Sequence, residues 1–416
     1  MNGNRPARMP PNTELKRSLS LTLITLYGLG TILGAGIYVL IGKVAGLAGM
    51  YAPVSFVVAA GLAGLTGLSY AELSARYPKS AGEAVYVQAG LHMRALSVLV
   101  GALVVLTGIV SAATLANGFV GYLHVFVAVP AWAVITALVL GLGALAAWGI
   151  SESVTAASVV TLIEVGGLLL VLGVAGGNLA DLPARLPELI PPPDAGIWQG
   201  ILLGAFIAFY AFIGFEDMVN VAEEVKDPTH ALPLAILIAI VVSTALYLMV
   251  ALVSVLALAP AELAGSDAPL ALIYQRATGS APTLIGVISL FAVINGALIQ
   301  IVKSGRILYG MSREGWLHGA FGVVHPRTQT PLLSTAVVTA AVLVLALWLP
   351  LVTLAKATSF IVLVVFALIN LALVLIKRRD PRPAGVRIFP LWVPGAGFLF
   401  TAGFLLFQLA QLLRSA

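Results

Sequence analysis

The sequence contains no cysteine, and only 9% of its 416 residues are charged. The lack of cysteine excludes disulfides and thiolate chemistry. Charged residues make up about a quarter of an ordinary soluble protein, so their scarcity excludes a soluble domain. None of the five histidines lies at metal-binding spacing from a second ligand. We therefore expect no enzymatic activity, no cofactor and no metal site.

Long apolar runs occupy most of the chain. Hydrophobic residues make up 60% of it, and the mean hydropathy is +1.05. Several runs exceed the roughly 20 residues that a helix needs to cross a lipid bilayer. Pro, Gly and charged residues separate these runs, and the pattern predicts an all-α membrane protein with about eleven transmembrane helices. The predicted helices lie at residues 19–47, 52–76, 95–124, 130–149, 154–177, 197–225, 232–259, 281–308, 331–349, 353–377 and 389–413.

Lysine and arginine are distributed unevenly between the two sides of these helices. With the N-terminus inside, seventeen of the 22 basic residues fall on the cytoplasmic side and five on the outer side. Cytoplasmic loops of membrane proteins carry such an excess. We expect a multi-pass protein of the plasma (inner) membrane with a cytoplasmic N-terminus and an extracytoplasmic C-terminus. The net charge of +5 is accordingly interpreted as lipid anchoring rather than nucleic-acid binding.

A proline-rich stretch at residues 182–193 separates the first five helices from the last six. Consecutive prolines cannot continue a helix, so a linker is predicted there. The expected organisation is a cytoplasmic tail at 1–18, a five-helix repeat at 19–177, an extracellular linker at 178–196, an inverted five-helix repeat at 197–377, and a cytoplasmic loop with helix 11 at 378–416. The repeat is inferred from the matching positions of two interrupted helices, not from repeated sequence.

The stretch between helices 2 and 3, residues 77–94, mixes polar and apolar side chains. This mixture is typical of a short helix that lies at the cytoplasmic surface of a membrane. An ordinary solvated loop is the alternative, and the sequence favours neither.

Helices 1 and 6 are interrupted by glycine near their middle. Helix 1 contains Gly34-Ala35-Gly36, and helix 6 contains Gly214 just before the carboxylates of Glu216 and Asp217. Glycine tolerates backbone angles that other residues resist. An unwound span leaves backbone groups free where hydrocarbon cannot satisfy them. Interruptions at corresponding positions of two halves indicate the substrate site of a transporter.

The freed backbone groups suit a zwitterion such as an amino acid. Amides around Ala35 and Gly36, at the start of a half-helix, would face its carboxylate with the positive end of the helix dipole behind them. Carbonyls near the two breaks would accept hydrogen bonds from its ammonium group, and these belong to Ile32, Tyr210, Ala211 and Ile213.

Small residues also allow helices to pack closely, which is the alternative interpretation of every glycine in these spans. For residues 34–36 the binding site is favoured. Close packing is favoured for four other glycines, Gly61, Gly64, Gly141 and Gly143.

Side chains around the breaks complete the predicted site. Tyr210 and Phe212 are aromatic, and Tyr210 is favoured as a lid that closes over the substrate rather than as plain packing. Glu216 either pairs with a cationic substrate group or caps the half-helix that follows it, and capping is favoured. Further polar candidates for the side-chain pocket include Asn117 and Asn295.

Glu164 is a carboxyl group in the middle of helix 5. An ionisable residue at that depth is a functional-site candidate by default, because hydrocarbon disfavours its charged form. We expect Glu164 to bind a proton that couples to transport. The alternative is a neutral Glu164 that only hydrogen-bonds to helix 1 or helix 8.

Four ordered motifs resemble the amino acid, polyamine and organocation transporter superfamily, and within it the bacterial relatives of cationic amino acid transporters. They are residues 30–38, 70–86, 209–216 together with 223–228, and 306–315. The resemblance implies a leucine-transporter-like fold of two inverted five-helix repeats with discontinuous helices 1 and 6. It also implies secondary active transport of an amino acid by alternating access.

Two departures from the superfamily bear on coupling. Some proton-coupled relatives carry a lysine where this chain has Glu164, so their coupling mechanism does not transfer directly to this chain. Helix 8 lacks the Thr/Ser pair that sodium-coupled relatives use. Proton symport is ranked first, exchange of amino acids or polyamines second and sodium coupling third. A sensor of the same fold that binds substrate without moving it is the other alternative. A channel is disfavoured because the spans are too apolar for a polar lining.

Overall fold

The structure is a computed structural model that describes residues 17, 19–33, 36–79, 82–148, 154–313, 315–328 and 330–415. Helices account for 84% of these residues, and no strand occurs among them. One isolated parallel bridge joins Leu19 to Val225. The prediction of an all-α protein is confirmed for the described residues.

Sixteen α-helices lie in the described ranges. In chain order they are α1 Leu21–Leu33, α2 Gly36–Ala48, α3 Ala52–Arg76, α4 Gly82–Leu91, α5 Arg94–Leu123, α6 Ala131–Trp148, α7 Val154–Ala175, α8 Leu182–Leu189, α9 Ala195–Tyr210, α10 Pro228–Ala257, α11 Pro260–Gly265, α12 Pro269–Thr278, α13 Thr283–Arg313, α14 Leu332–Trp348, α15 Leu351–Arg379 and α16 Trp392–Ser415. A 3₁₀-helical segment, Phe215–Glu224, follows α9.

Nine runs in the described part of the chain are long and apolar enough to cross a membrane. The first of these runs, Leu21–Arg76, contains α1, α2 and α3 together. Helix α14 is also apolar but is shorter than the nine runs. The count of eleven transmembrane helices and the five-plus-five inverted repeat stay predictions.

Helix ends agree with the sequence within a few residues where proline marks them. Helix α3 spans the predicted residues and has Pro53 in its first turn. Helices α14 and α15 begin directly after Pro331 and Pro350. Proline fixes φ and lacks an N–H, so the first turn of a helix accommodates it.

Several short helices between the long ones are less evident in the sequence. The stretch 77–94 contains the helix α4, and Tyr86 and Val87 on it are fully buried. One face of this short helix therefore packs against the bundle, while Gln88 on its other side is exposed. The predicted linker contains the helix α8, with Pro187 inside it, and α11 and α12 follow α10.

The helices that carry the breaks pack at the centre of the bundle. Helix α1 packs against α10 and α7, α2 packs against α9, and α9 also packs against α3. A second group, in which α13 and α15 pack against α5, lies beside them. Apolar side chains from nearly all of these helices form one buried core.

A buried ion cluster ties α3 to α15 at the end of the bundle that is predicted to be cytoplasmic. Both carboxylate oxygens of Glu72 lie 2.7 Å from the Lys377 ammonium. Arg76 donates to the same carboxylate at 2.8 Å, and the backbone N–H of Phe389 donates at 2.9 Å. Buried charges need partners of this kind.

Candidate functional site

The backbone leaves the α-helical path at the second predicted interruption. Helix α9 ends at Tyr210, four residues of turn follow, and Gly214 has a φ of 135°. That φ favours glycine, because other residues are strained there. Helix α1 ends at Leu33 and α2 begins at Gly36. Gly34 and Ala35, with the predicted Ala35 amide, lie outside the described residues.

The two breaks touch each other through their backbones. A Cβ added to Gly36 would lie 2.8 Å from the Cα of Ala211. A Cβ added to Gly214 would lie 2.9 Å from the backbone nitrogen of Ile32 and would also clash with the Thr31 carbonyl. These two glycines therefore permit a contact between helices that no side chain at the same position would allow.

Two hydroxyl groups hold this contact together. Thr31 Oγ1 donates to the carbonyl of Gly214, at 3.0 Å, and to that of Gly28. The Tyr247 hydroxyl, from α10, lies 2.6 Å from the Ile32 carbonyl oxygen and 2.9 Å from the Ala211 carbonyl oxygen. Tyr247 thus shares one proton between two of the carbonyls that were predicted to receive an ammonium.

A cavity lies where the breaks face α5 and α13. It encloses about 340 Å³, including the open space at its mouth. Its walls contain no charged side chain, and they are formed by Thr31, Ile32, Gly36, Ser111, Leu115, Tyr210, Ile213, Gly296 and Gln300. The Gln300 Oε1 atom is buried and has no hydrogen-bond partner, so it is available to a ligand.

The aromatic residues at the break differ in their surroundings. The Tyr210 hydroxyl lies 2.9 Å from Ser111 Oγ, and both residues line the cavity. The Phe212 ring packs edge-on against the ring of Tyr247, with centroids 5.1 Å apart. Phe212 is outside the cavity wall and supports Tyr247 from behind.

The two predicted asparagines are not in the cavity wall. Asn117 Nδ2 donates to the carbonyl of Ala346 at 3.0 Å and so faces α14. Asn295 Nδ2 donates to Glu164 Oε1 at 3.4 Å. The structure therefore brings Ile32, Gly36, Tyr210 and Ile213 together and leaves Asn117 and Asn295 apart from them.

Glu164 is fully buried on α7 and adjoins helix α2. Its backbone carbonyl accepts a 2.6 Å hydrogen bond from Tyr38, two residues after Gly36. Its side chain receives the bond from Asn295 on one oxygen, and the other oxygen, Oε2, has no partner. The carboxyl group thus lies beside the first break without lining the cavity.

Glu216 and Asp217 make different contacts below the second break. The Glu216 Oε2 atom accepts a 2.8 Å hydrogen bond from the backbone N–H of Gly214, the residue before the 3₁₀ segment, and so caps its start as the reaching-back Glu of a capping box does. Asp217 Oδ1 lies 2.6 Å from the Lys303 ammonium. A hydrogen bond of 3.4 Å from Gln300 reaches the other oxygen of Asp217.

Sequence reasoning missed Tyr247 and Lys303 as members of this region. Tyr247 occurs inside a continuous apolar run, where a single tyrosine resembles core packing. Lys303 was counted only as a basic residue at a cytoplasmic helix end. Its spacing from Gln300, three residues earlier on α13, places both side chains on one helix face, and that spacing was the available signal.

Replacing Gly214 with Ala should lower stability by at least about 2 kcal/mol, because a strained φ adds to the clash with Thr31. Gly36→Ala should also destabilise the protein, through its clash with Ala211. Melting temperatures of the purified variants in detergent would measure both effects.

Gly61→Ala is the matched control. Apart from the chain neighbours and the backbone of the same helix, no described atom lies within 4 Å of a Cβ added at Gly61, Gly64 or Gly141, so the close-packing prediction is wrong for these three. It is confirmed for Gly143, which packs against Thr339. Because alanine favours helix more than glycine does, Gly61→Ala should leave the melting temperature unchanged or slightly raised. Equal melting temperatures for all three variants would contradict the backbone contact.

The chain is similar in sequence to known amino acid permeases and transporters. The amino acid permease family matches residues 19–412. The chain is 28% identical to the branched-chain amino acid permease BcaP of Bacillus subtilis, over 93% of this chain and 87% of that protein. It is 29% identical to the methylthioribose transporter of the same organism, over 88% and 83%.

A plant relative is longer. The chain is 29% identical to the mitochondrial cationic amino acid transporter 3 of Arabidopsis thaliana, over 88% of this chain but 63% of that protein. The names of these relatives describe transporters and not enzymes. The chain belongs to the amino acid permease family of the amino acid, polyamine and organocation transporter superfamily.

Proposed function

We propose that this protein is a secondary active amino acid transporter that works by alternating access and carries a neutral amino acid together with a proton. The observation that carries the proposal is the direct contact of two interrupted helices beside one cavity. Relatives named as amino acid permeases support amino acid transport at the level of the family.

The substrate's backbone would be held by groups of the two breaks. Helix α2 begins at Gly36 in the cavity wall, and the first N–H groups of a helix have no partner within it. They would hold the carboxylate, together with the predicted amide of Ala35. Each carbonyl oxygen has two lone pairs, so the Ile32 and Ala211 carbonyls that Tyr247 orients would still accept the ammonium.

The neutral cavity wall favours a neutral side chain. A cationic side chain that leaves water needs a charged or fully hydrogen-bonded partner. No Asp or Glu lines the cavity in the part of the chain that the structure describes. Leu115 and Ile213 supply apolar surface instead, and this fits a branched aliphatic substrate better than arginine or lysine.

Membrane placement is supported by exposed tryptophans. Trp132 and Trp148 lie at the two ends of α6 and are 67% and 79% exposed. They are separated by roughly 24 Å at 1.5 Å per residue. Trp348, at the end of α14, is 81% exposed. Exposed tryptophans at both ends of a span are typical of the aromatic belts at the two membrane surfaces.

Glu164 is the proposed coupling residue. It is fully buried, one of its oxygens lacks a partner, and its backbone is bonded to Tyr38 near the first break. Proton binding there would change the charge next to α2 and bias its position. Exchange and substrate sensing without transport are the alternatives.

Counterflow in proteoliposomes tests the proposed function. Vesicles preloaded with leucine should accumulate labelled leucine but neither labelled arginine nor labelled methylthioribose. Tyr247→Phe removes the hydroxyl that orients two carbonyls, a loss of about 1.5 kcal/mol that should weaken leucine binding about tenfold. Tyr309→Phe, at the far end of α13, is the matched control and should behave as the unmodified protein does.

Three outcomes of this assay would contradict the proposal. Selective exchange of arginine would contradict the neutral substrate. Leucine binding without exchange would identify a sensor of the same fold. Full affinity in Tyr247→Phe would contradict the role of the bridged carbonyls.

Replacing Glu164 with Gln should abolish leucine uptake driven by a pH gradient, because the amide cannot take up the coupled proton. Counterflow at equal pH on both sides should persist, since exchange requires no net proton movement. Glu188→Gln, an exposed substitution next to Arg185, serves as the control. Unchanged dependence of uptake on the pH gradient in Glu164→Gln would exclude this residue as the coupling site.

A further inference from the structure

A second cavity lies between α4, α5, α13, α15 and the 3₁₀ segment after the second break. Its empty space, including the open space at its mouth, is about 230 Å³, and it does not share a lining residue with the substrate cavity. Its polar wall consists of Glu83, Thr107, Glu216 and Lys303. Gln300 connects the two cavities, because it lines the first one and donates to Asp217 beside the second.

Carboxyl groups outnumber cations at this cavity. The Lys303 ammonium is paired with Asp217 at 2.6 Å, and Glu216 caps the backbone N–H of Gly214. Glu83, on α4, is only 4% exposed, and its Oε1 atom is buried without a hydrogen-bond partner. If all three carboxyl groups were ionised, two negative charges would lie uncompensated away from water, which is strongly unfavourable.

Three other basic residues on α3 and α15 are engaged elsewhere. Lys377 and Arg76 both pair with Glu72. Arg379, at the end of α15, donates to the Gly90 carbonyl and contacts His92. Within the described part of the chain, Lys303 is the cation whose charge acts on Glu83.

Two phenol groups also face this acidic cluster. The hydroxyls of Tyr70 on α3 and Tyr86 on α4 are buried and lack hydrogen-bond partners. Their rings pack edge-on with centroids 6.2 Å apart. Small movements of these side chains would supply hydrogen bonds to Glu83 in either of its protonation states.

A proton is the ligand that fits this arrangement. Among the residues that the structure describes, no three His, Cys, Asp or Glu side chains are placed so that they could hold one metal ion. Burial is the main cause that raises the pKa of the Glu83 carboxyl, to about 7, and the nearby Asp217 adds to the effect while Lys303 opposes it. Glu83 can therefore gain and lose a proton in the physiological range.

We propose that Glu83 is a proton-binding residue of a second site, formed with Glu216, Asp217 and Lys303, which lies beyond the substrate cavity and apart from Glu164. As a contribution to coupling, this site rests on the proposed transport function. This site would affect transport through the second break, because Glu216 caps Gly214 there and the neighbouring Asp217 pairs with Lys303 of α13. A proton on Glu83 would remove a charge from the cluster and strengthen the hold of Lys303 on the segment Phe215–Glu224.

The pH dependence of stability tests the site without any substrate. The pKa of Glu83 is higher in the folded chain than the ordinary value of 4.5, so its protonation stabilises the folded state. That stabilisation is complete below the unfolded pKa and is lost as the pH rises through about 7. The melting temperature should therefore fall between about pH 5 and about pH 8 by several degrees more in the unmodified protein than in Glu83→Gln.

Two further variants complete the stability experiment. Glu83→Asp keeps a titratable carboxyl group and should restore the pH dependence. Glu262→Gln, an exposed substitution in the pair with Arg276, should leave it intact. Equal pH dependence in Glu83→Gln and the unmodified protein would overturn the proposal. A melting temperature that follows Na⁺ or K⁺ concentration instead of pH would overturn it in favour of a metal cation.

Transport assays separate this proposal from the proposed function. If Glu83 contributes to coupling, Glu83→Gln should retain leucine counterflow at equal pH, and the pH for half-maximal uptake should shift. An unchanged pH profile of uptake would overturn the coupling role of Glu83. If no labelled substrate is exchanged at all, the transport proposal fails, and the melting experiment still decides whether Glu83 binds a proton.

Discussion

The contact between two interrupted helices is the constraint on which the rest of the structure depends. Gly36 lies against Ala211, and Gly214 lies against the carbonyl of Thr31. Neither contact is compatible with a side chain at the glycine. The carbonyls of Ile32 and Ala211 beside these contacts lie in the middle of the bundle, where Tyr247 supplies a hydrogen bond that hydrocarbon could not. The cavity that is proposed to hold the substrate lies next to them.

Polar side chains from the surrounding helices stabilise the contact from several directions. Tyr247 of α10 bridges carbonyls of both breaks, and Tyr38 ties α2 to the backbone of Glu164 on α7. Below the second break, Glu216 caps Gly214, and Asp217 pairs with Lys303 of α13. Titratable groups therefore lie beside each break, so a change in their charge would act on the same backbone that is proposed to hold the substrate.

Sequence reasoning predicted those features that depend on local chemistry. Long apolar runs and proline indicated the helix ends, and Gly214 was predicted as an interruption because glycine tolerates backbone angles that other residues resist. Tyr247, Lys303 and Glu83 were missed because their roles come from partners on other helices. The prediction that Asn117 lines the side-chain pocket was wrong for the same reason. In a uniformly apolar helix, the sequence does not show which side faces the pocket, because the neighbouring helices decide it.

Cryo-electron microscopy of the protein in lipid nanodiscs with leucine would test the central claim most directly. The account predicts interruptions at residues 34–36 and 211–214, with leucine density between them and its carboxylate at the start of α2. Two continuous helices without a central cavity, or leucine bound away from the breaks, would contradict it.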